Sequence, residues 1–147
     1  MRSRRRGGAN RLDRLLVRAR SRLARLRPRQ AATAVGGGAL IVDIRPEYQR
    51  RADGEIPGAI VIERNHLEWR LHPASAWHIP EATDARVRWI VICDEGYASS
   101  LAAATLRDIG LTAATDVVGG FQAWRAARLP IRRPSKPTQP RLAPGRR

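Results

Sequence analysis

The stretch Trp89-Ile-Val-Ile-Cys93-Asp-Glu-Gly96-Tyr-Ala-Ser99-Ser-Leu-Ala-Ala-Ala-Thr-Leu106 decides the architecture. Its first four residues are bulky and mostly β-branched, the signature of a strand buried on both faces. Its last eight are small or straight-chain residues that favour helix. Between them lies a short polar loop containing Gly96, so Cys93 stands at the carboxyl end of a buried strand and a helix begins about six residues later. Working outward, similar apolar runs occur at Ala39 to Ile44, Ala59 to Ile62 and Thr115 to Val118. Helix-like segments at Pro46 to Ala52, His66 to Leu71, Ser99 to Ile109 and Phe121 to Ala127 separate or follow them. Strand and helix therefore alternate with short connections. That pattern predicts an α/β fold, a mainly parallel sheet with helices on both faces and ligands beyond the carboxyl ends of its strands.

At 147 residues, 43% hydrophobic and 28% charged, the chain has material for one core and one globular domain. Its formal net charge of +15 is unevenly placed. Residues 1–39 carry twelve Arg and one Asp, residues 40–129 carry ten basic and twelve acidic residues, and residues 130–147 carry six basic ones. A nearly neutral globule thus has basic ends. The longest uncharged run, Gln30 to Val42, has 13 residues and contains three glycines, too few apolar residues for a membrane span. No apolar signal-peptide region follows the basic start, and the expected location is cytoplasmic. Met1 to Arg29 is also Arg-rich, acid-poor and amphipathic, as mitochondrial transit peptides are, but nothing in it marks a cleavage point.

Residues 1–10 are expected to be disordered. Leu12, Leu15, Leu16, Ala19, Leu23 and Leu26 recur at helical spacing, which predicts an amphipathic helix over residues 11–27, ended near Pro28. Arg14, Arg18, Arg22 and Arg25 form its other face, read either as the solvated side of a docked helix or as a contact for an anionic surface or nucleic acid. A short helix follows Pro28 and stops at Gly36 to Gly38, and the domain proper is expected over residues 28–131. From 132 to 147 the chain is rich in Pro and Arg without periodicity and reads as a disordered tail.

Cys93 is the sole cysteine, so no internal disulfide is available. With His66, His72 and His78 scattered, no zinc-ligand spacing occurs, and neither a metal nor another cofactor is expected. A loop between strand end and helix start curls successive N–H groups toward one centre, and the helix dipole adds positive potential there. Both favour a thiolate nucleophile at Cys93, and the same cradle would hold a persulfide anion. The competing reading is a small apolar residue capping a strand.

Four motifs in order, Asp43-Ile-Arg45, Gly54-Glu-Ile-Pro-Gly-Ala59, Cys93-Asp-Glu-Gly96 and Gly119-Gly-Phe-Gln-Ala-Trp124, resemble those of the rhodanese-like (sulfurtransferase) domain over roughly residues 28–131. The resemblance implies a five-stranded, mainly parallel sheet and an active-site cysteine carrying sulfur as a persulfide. It makes Cys93 the carrier, with Asp94, Glu95, Gly96, Tyr97, Ala98 and Ser99 as the surrounding loop. Asp43 and Arg45 would form a structural ion pair near the loop's base. It also implies a sulfane-sulfur donor and a thiol acceptor as partners.

Without the family, Pro57-Gly58 reads as turn chemistry and Trp124 as a core residue, while Asn65, His66, Glu68 and Trp69 fall on the ligand side as pocket-mouth or packing residues. The loop departs from the family where Ala98 replaces a common Arg, and Asp94 and Glu95 stand where thiosulfate-using members often have basic residues, which is expected to repel small dianions. Ser99, sixth after Cys93, stands where cysteine phosphatases carry Arg, which argues against that chemistry. A non-catalytic rhodanese-like binding module, tethered by its basic ends, is the alternative that Ala98 favours. A nucleic-acid contact through Arg2 to Arg29 would show as steep salt dependence.

Overall fold

A computed structural model describes residues 9–134. The first helix, α1 (Arg11–Ser21), is followed by α2 (Pro28–Gly36), β1 (Leu40–Asp43), α3 (Glu47–Asp53), β2 (Ile60–Val61), a 3-10 turn (Arg64–His66), α4 (Leu67–Leu71), β3 (Trp89–Ile92), α5 (Ala98–Asp108), β4 (Thr115–Asp116) and α6 (Gly120–Ala126). The four strands form one sheet in the order β2-β1-β3-β4, and every pairing is parallel.

All four residues of β3 are buried, as a central strand covered on both faces requires. Side-chain parity then assigns the two layers. Trp89, Val91 and Cys93 face a core shared with Leu67 and Leu71 of α4 and Ala102, Ala103 and Leu106 of α5. Ile90 and Ile92 face the opposite core with Ala31 of α2 and Phe121 and Trp124 of α6. Period-two alternation therefore points Cys93 toward the α5 side of the sheet. Trp124 is a core residue, with its indole N–H donating to the Pro130 carbonyl at 3.0 Å.

Two expectations change here. Among the described residues the sheet has four strands, not five. Where a fifth would lie beside β4, only Leu26 pairs with Val117 as an isolated parallel bridge. Pro28 starts α2 two residues later and leaves no length for a ladder. The amphipathic helix is also shorter than its periodicity predicts and stops at Ser21, whose hydroxyl donates back to the Arg18 carbonyl at 2.7 Å. The chain then runs on without helix, and Leu23 and Leu26 pack against opposite cores.

Asn10 is ordered as the N-cap of α1, accepting from the Asp13 N–H at 2.8 Å. Arg132, expected to begin the tail, is bridged to Glu55 through paired backbone hydrogen bonds. The expected disorder of residues 1–8 and of the tail from 135 onward lies outside the described residues. No helix among the described residues is long and apolar enough to cross a membrane.

Candidate active site

Cys93 immediately follows β3, and its sulfur is the focus of the loop. The backbone N–H groups of Gly96 and Ser99 donate to Sγ at 3.1 and 3.3 Å. Two backbone donors are thus aimed at one sulfur. Gly96 makes the curl possible, since its φ of 86° is left-handed and a Cβ there would lie 2.8 Å from the Gly119 nitrogen.

The loop is braced from behind by the turn into α6. Phe121 N–H donates to the Cys93 carbonyl at 2.8 Å and Gln122 N–H to the Asp94 carbonyl at 3.0 Å. Gly120 allows this approach, for a Cβ at that position would lie 2.5 Å from the Cys93 oxygen.

Although only 7% exposed, Cys93 lines an open cleft of about 460 Å³ together with Ile44, Arg45, Tyr48, Arg64 and Tyr97. Asp94, Glu95 and Ala98 also border it. The two acids differ. Asp94 is half-buried and accepts from the Gln122 amide at 2.8 Å, whereas Glu95 is exposed. At the cleft's base Asp43 and Arg45 form the ion pair that the family resemblance implies, at 2.8 Å and fully buried. Arg45 also donates to the Gly54 carbonyl at 2.8 Å and lies 3.6 Å from the centre of the Phe121 ring. One of its terminal nitrogens, Nη1, is buried without a hydrogen-bond partner.

Ser99, which the sequence placed in the loop, contributes its N–H to the sulfur and turns its hydroxyl to Asp116 at 2.8 Å. Ser100 donates to the same Asp116 oxygen at 2.8 Å. Asp116 is fully buried and paired with Arg25 at 2.8 Å. Arg25 also donates to the Gly96 carbonyl at 3.1 Å, which in turn accepts from Arg20 at 2.8 Å.

None of Arg20, Arg25, Ser100, Asp116 and Gln122 stood out in the sequence as a site residue. Asp116 carried a readable signal, an acid inside the apolar run Thr115 to Val118 that burial obliges to find a cation. The face read as solvated or anion-binding is partly consumed internally, because Arg22 pairs with Asp108 and Arg25 with Asp116.

Asn65, His66 and Trp69 line a different hollow with Trp77. Glu68 pairs with Arg64 at 2.8 Å and so restrains a cation that borders the cysteine cleft. Among the described residues no group of three or more His, Cys, Asp or Glu side chains converges as a metal site would require.

The rhodanese-like domain family model matches residues 27–127. The chain belongs to the rhodanese-like domain family. It is 33% identical over 106 residues to the thiosulfate sulfurtransferase GlpE of Pseudomonas entomophila, covering 72% of this chain and 88% of that one. A solved structure from Rhodopseudomonas palustris, described as a protein of unknown function and possible tyrosine phosphatase, superposes with a TM-score of 0.75 at 32% identity. That match covers 90% of this chain and 98% of the other. The polysulfide-sulfur transferase homodimer of Wolinella succinogenes shares the fold, with a TM-score of 0.64 at 22% identity over 79% of this chain and 82% of the other.

Proposed function

We propose that this rhodanese-like protein is a sulfurtransferase that carries sulfane sulfur on Cys93. The observation that supports this most is the convergence of two loop N–H groups on a sulfur that borders an open cleft. In the first step the Cys93 thiolate attacks the sulfane sulfur of a donor. The bond from that sulfur to the rest of the donor breaks, its electron pair leaves with the donor remnant, and a Cys93 persulfide anion remains. In the second step an acceptor thiolate attacks the outer persulfide sulfur, takes it away as a new persulfide, and regenerates the Cys93 thiolate. No external oxidant or reductant is consumed. The loop amides serve both anionic states, so sulfur moves without the site being rebuilt between steps.

Relatives at 33% identity bear the name thiosulfate sulfurtransferase, which supports the chemistry. The loop's own charges separate the donors. Glu95 borders the cleft as an exposed acid, and position 98, commonly Arg in the family, is Ala98. Two charges about 5 Å apart interact by roughly 3 kcal/mol at an effective dielectric near 20. A dianionic donor is therefore disfavoured relative to a monoanionic one such as an organic persulfide.

The phosphatase description of the Rhodopseudomonas palustris neighbour finds little support here. Ser99 occupies the sixth position after Cys93, and its hydroxyl is committed to Asp116.

The test is a sulfur-transfer assay with thiosulfate and an organic persulfide as donors and a small thiol as acceptor. A phosphomonoester is run in parallel. Turnover with at least one sulfane donor, lost in Cys93→Ser, is expected. Phosphate release without sulfur transfer would reverse the assignment, and inactivity toward every substrate would favour a binding module.

A further inference from the structure

We propose that Arg20, from the segment preceding the matched family span, is a positioning residue of the cysteine loop. It fixes the Gly96–Tyr97 peptide and places a positive charge beside the loop. The inference builds on the sulfurtransferase reading of Cys93 and adds a residue outside the loop.

The Arg20 guanidinium donates to two acceptors at once, the Gly96 carbonyl of the loop at 2.8 Å and the Ser100 hydroxyl in the first turn of α5 at 3.1 Å. It also lies 5.4 Å from the centre of the Tyr97 ring. These contacts touch three of the five residues from 96 to 100, the same span that directs the Gly96 and Ser99 N–H groups to Sγ.

No cis peptide occurs among the described residues, and in a trans peptide the N–H points opposite to the carbonyl. Drawing the Gly96 oxygen toward α1 therefore turns the Tyr97 N–H to the other side of the loop, where an additional sulfur on Cys93 would need a donor.

The charge argument is independent. Arg25, which shares the Gly96 carbonyl, is neutralised by Asp116. Arg20 forms no ion pair among the described residues, so its charge stays uncompensated beside a loop that otherwise carries Asp94 and Glu95. A guanidinium suits this place because its planar fork reaches two acceptors and keeps its charge at any working pH.

Alkylation of Cys93 under second-order conditions at pH 7 tests the proposal, with neutral iodoacetamide and anionic iodoacetate compared in wild type, Arg20→Gln and Arg20→Lys. Arg20→Gln is expected to slow iodoacetamide about tenfold, the scale of a lost charge-assisted hydrogen bond. Iodoacetate should lose about a further threefold, because the missing cation no longer attracts it. Arg20→Lys should restore the ratio of the two rates but not the iodoacetamide rate, since one ammonium cannot span both acceptors. A merely structural contact would leave that ratio unmoved.

Wild-type rates in Arg20→Gln, or a ratio that Arg20→Lys fails to restore, would overturn the proposal. If Arg20→Gln does not fold, Arg20→Lys decides alone, with an unchanged iodoacetamide rate as the contrary result. Alkylation needs no sulfur donor. Failure of sulfur transfer in wild type would therefore count against the activity, and an alkylation rate indifferent to Arg20 against this inference.

Discussion

Two arginine–aspartate pairs are buried among the described residues, and they are built in opposite ways. Arg45 and Asp43 are two residues apart at the end of β1, and both side chains are essentially sealed from solvent. Arg25 and Asp116 are 91 residues apart, joining the segment after α1 to the end of β4, and the Arg25 side chain is 16% exposed. The local pair anchors the floor of the cleft, reaching the Gly54 carbonyl and the Phe121 ring. The distant pair stands behind the cysteine loop and reaches its Gly96 carbonyl and, through Asp116, Ser99 and Ser100. One pair holds the scaffold and the other holds the cysteine loop.

Breaking the local pair should have the larger cost. Arg45→Ala leaves Asp43 buried beside an empty volume over Phe121, and a loss of about 4 kcal/mol is expected in urea unfolding monitored by circular dichroism. Arg25→Ala should cost less, about 3 kcal/mol, because Ser99 and Ser100 still donate to Asp116 and water can reach the partly exposed site. Its distinguishing effect lies in the loop. The Cys93 alkylation rate should fall in the folded fraction of Arg25→Ala, which removes one of the donors that hold the Gly96 carbonyl. A folded Arg25→Ala protein that reacts at the wild-type rate would show that the distant pair is scaffold as well. Smaller still, Ser99→Ala and Ser100→Ala each remove one hydrogen bond to a carboxylate that keeps others. About 1 kcal/mol each is expected in the same unfolding measurement.

The two pairs also mark how far the sequence could be read. Asp43-Ile-Arg45 is visible because neighbours along one strand end must occupy neighbouring space. Arg25 is one of 27 arginines, and nothing local singles it out. Only the fold brings it to Asp116. The central strand was read at its observed limits, Trp89–Ile92, because burial on both faces leaves an unbroken apolar run. Cys93 at its end followed directly.

The strand count and the extent of the first helix were not legible for a shared reason. Leu23 and Leu26 continue the helical spacing of α1, but three residues apart in an extended chain also places side chains on opposite faces, and the two leucines pack into the two cores. Pro28 then ends that segment after a single bridge. The charge asymmetry is visible in the residue counts alone. What the sequence could not disclose is that Arg20 and Arg25 of the basic segment turn inward, to Gly96 and Asp116, while Arg22 pairs with Asp108 at the surface.

The central claim is that the loop holds sulfur on Cys93, and intact-protein mass spectrometry after exposure to a sulfane donor and removal of excess reagent tests it most directly. The account predicts an added mass of about 32 Da, one sulfur atom, localised to Cys93, discharged by a small thiol and missing from Cys93→Ser. A wild-type protein that gains no such mass from any sulfane donor while its cysteine remains reduced would contradict it.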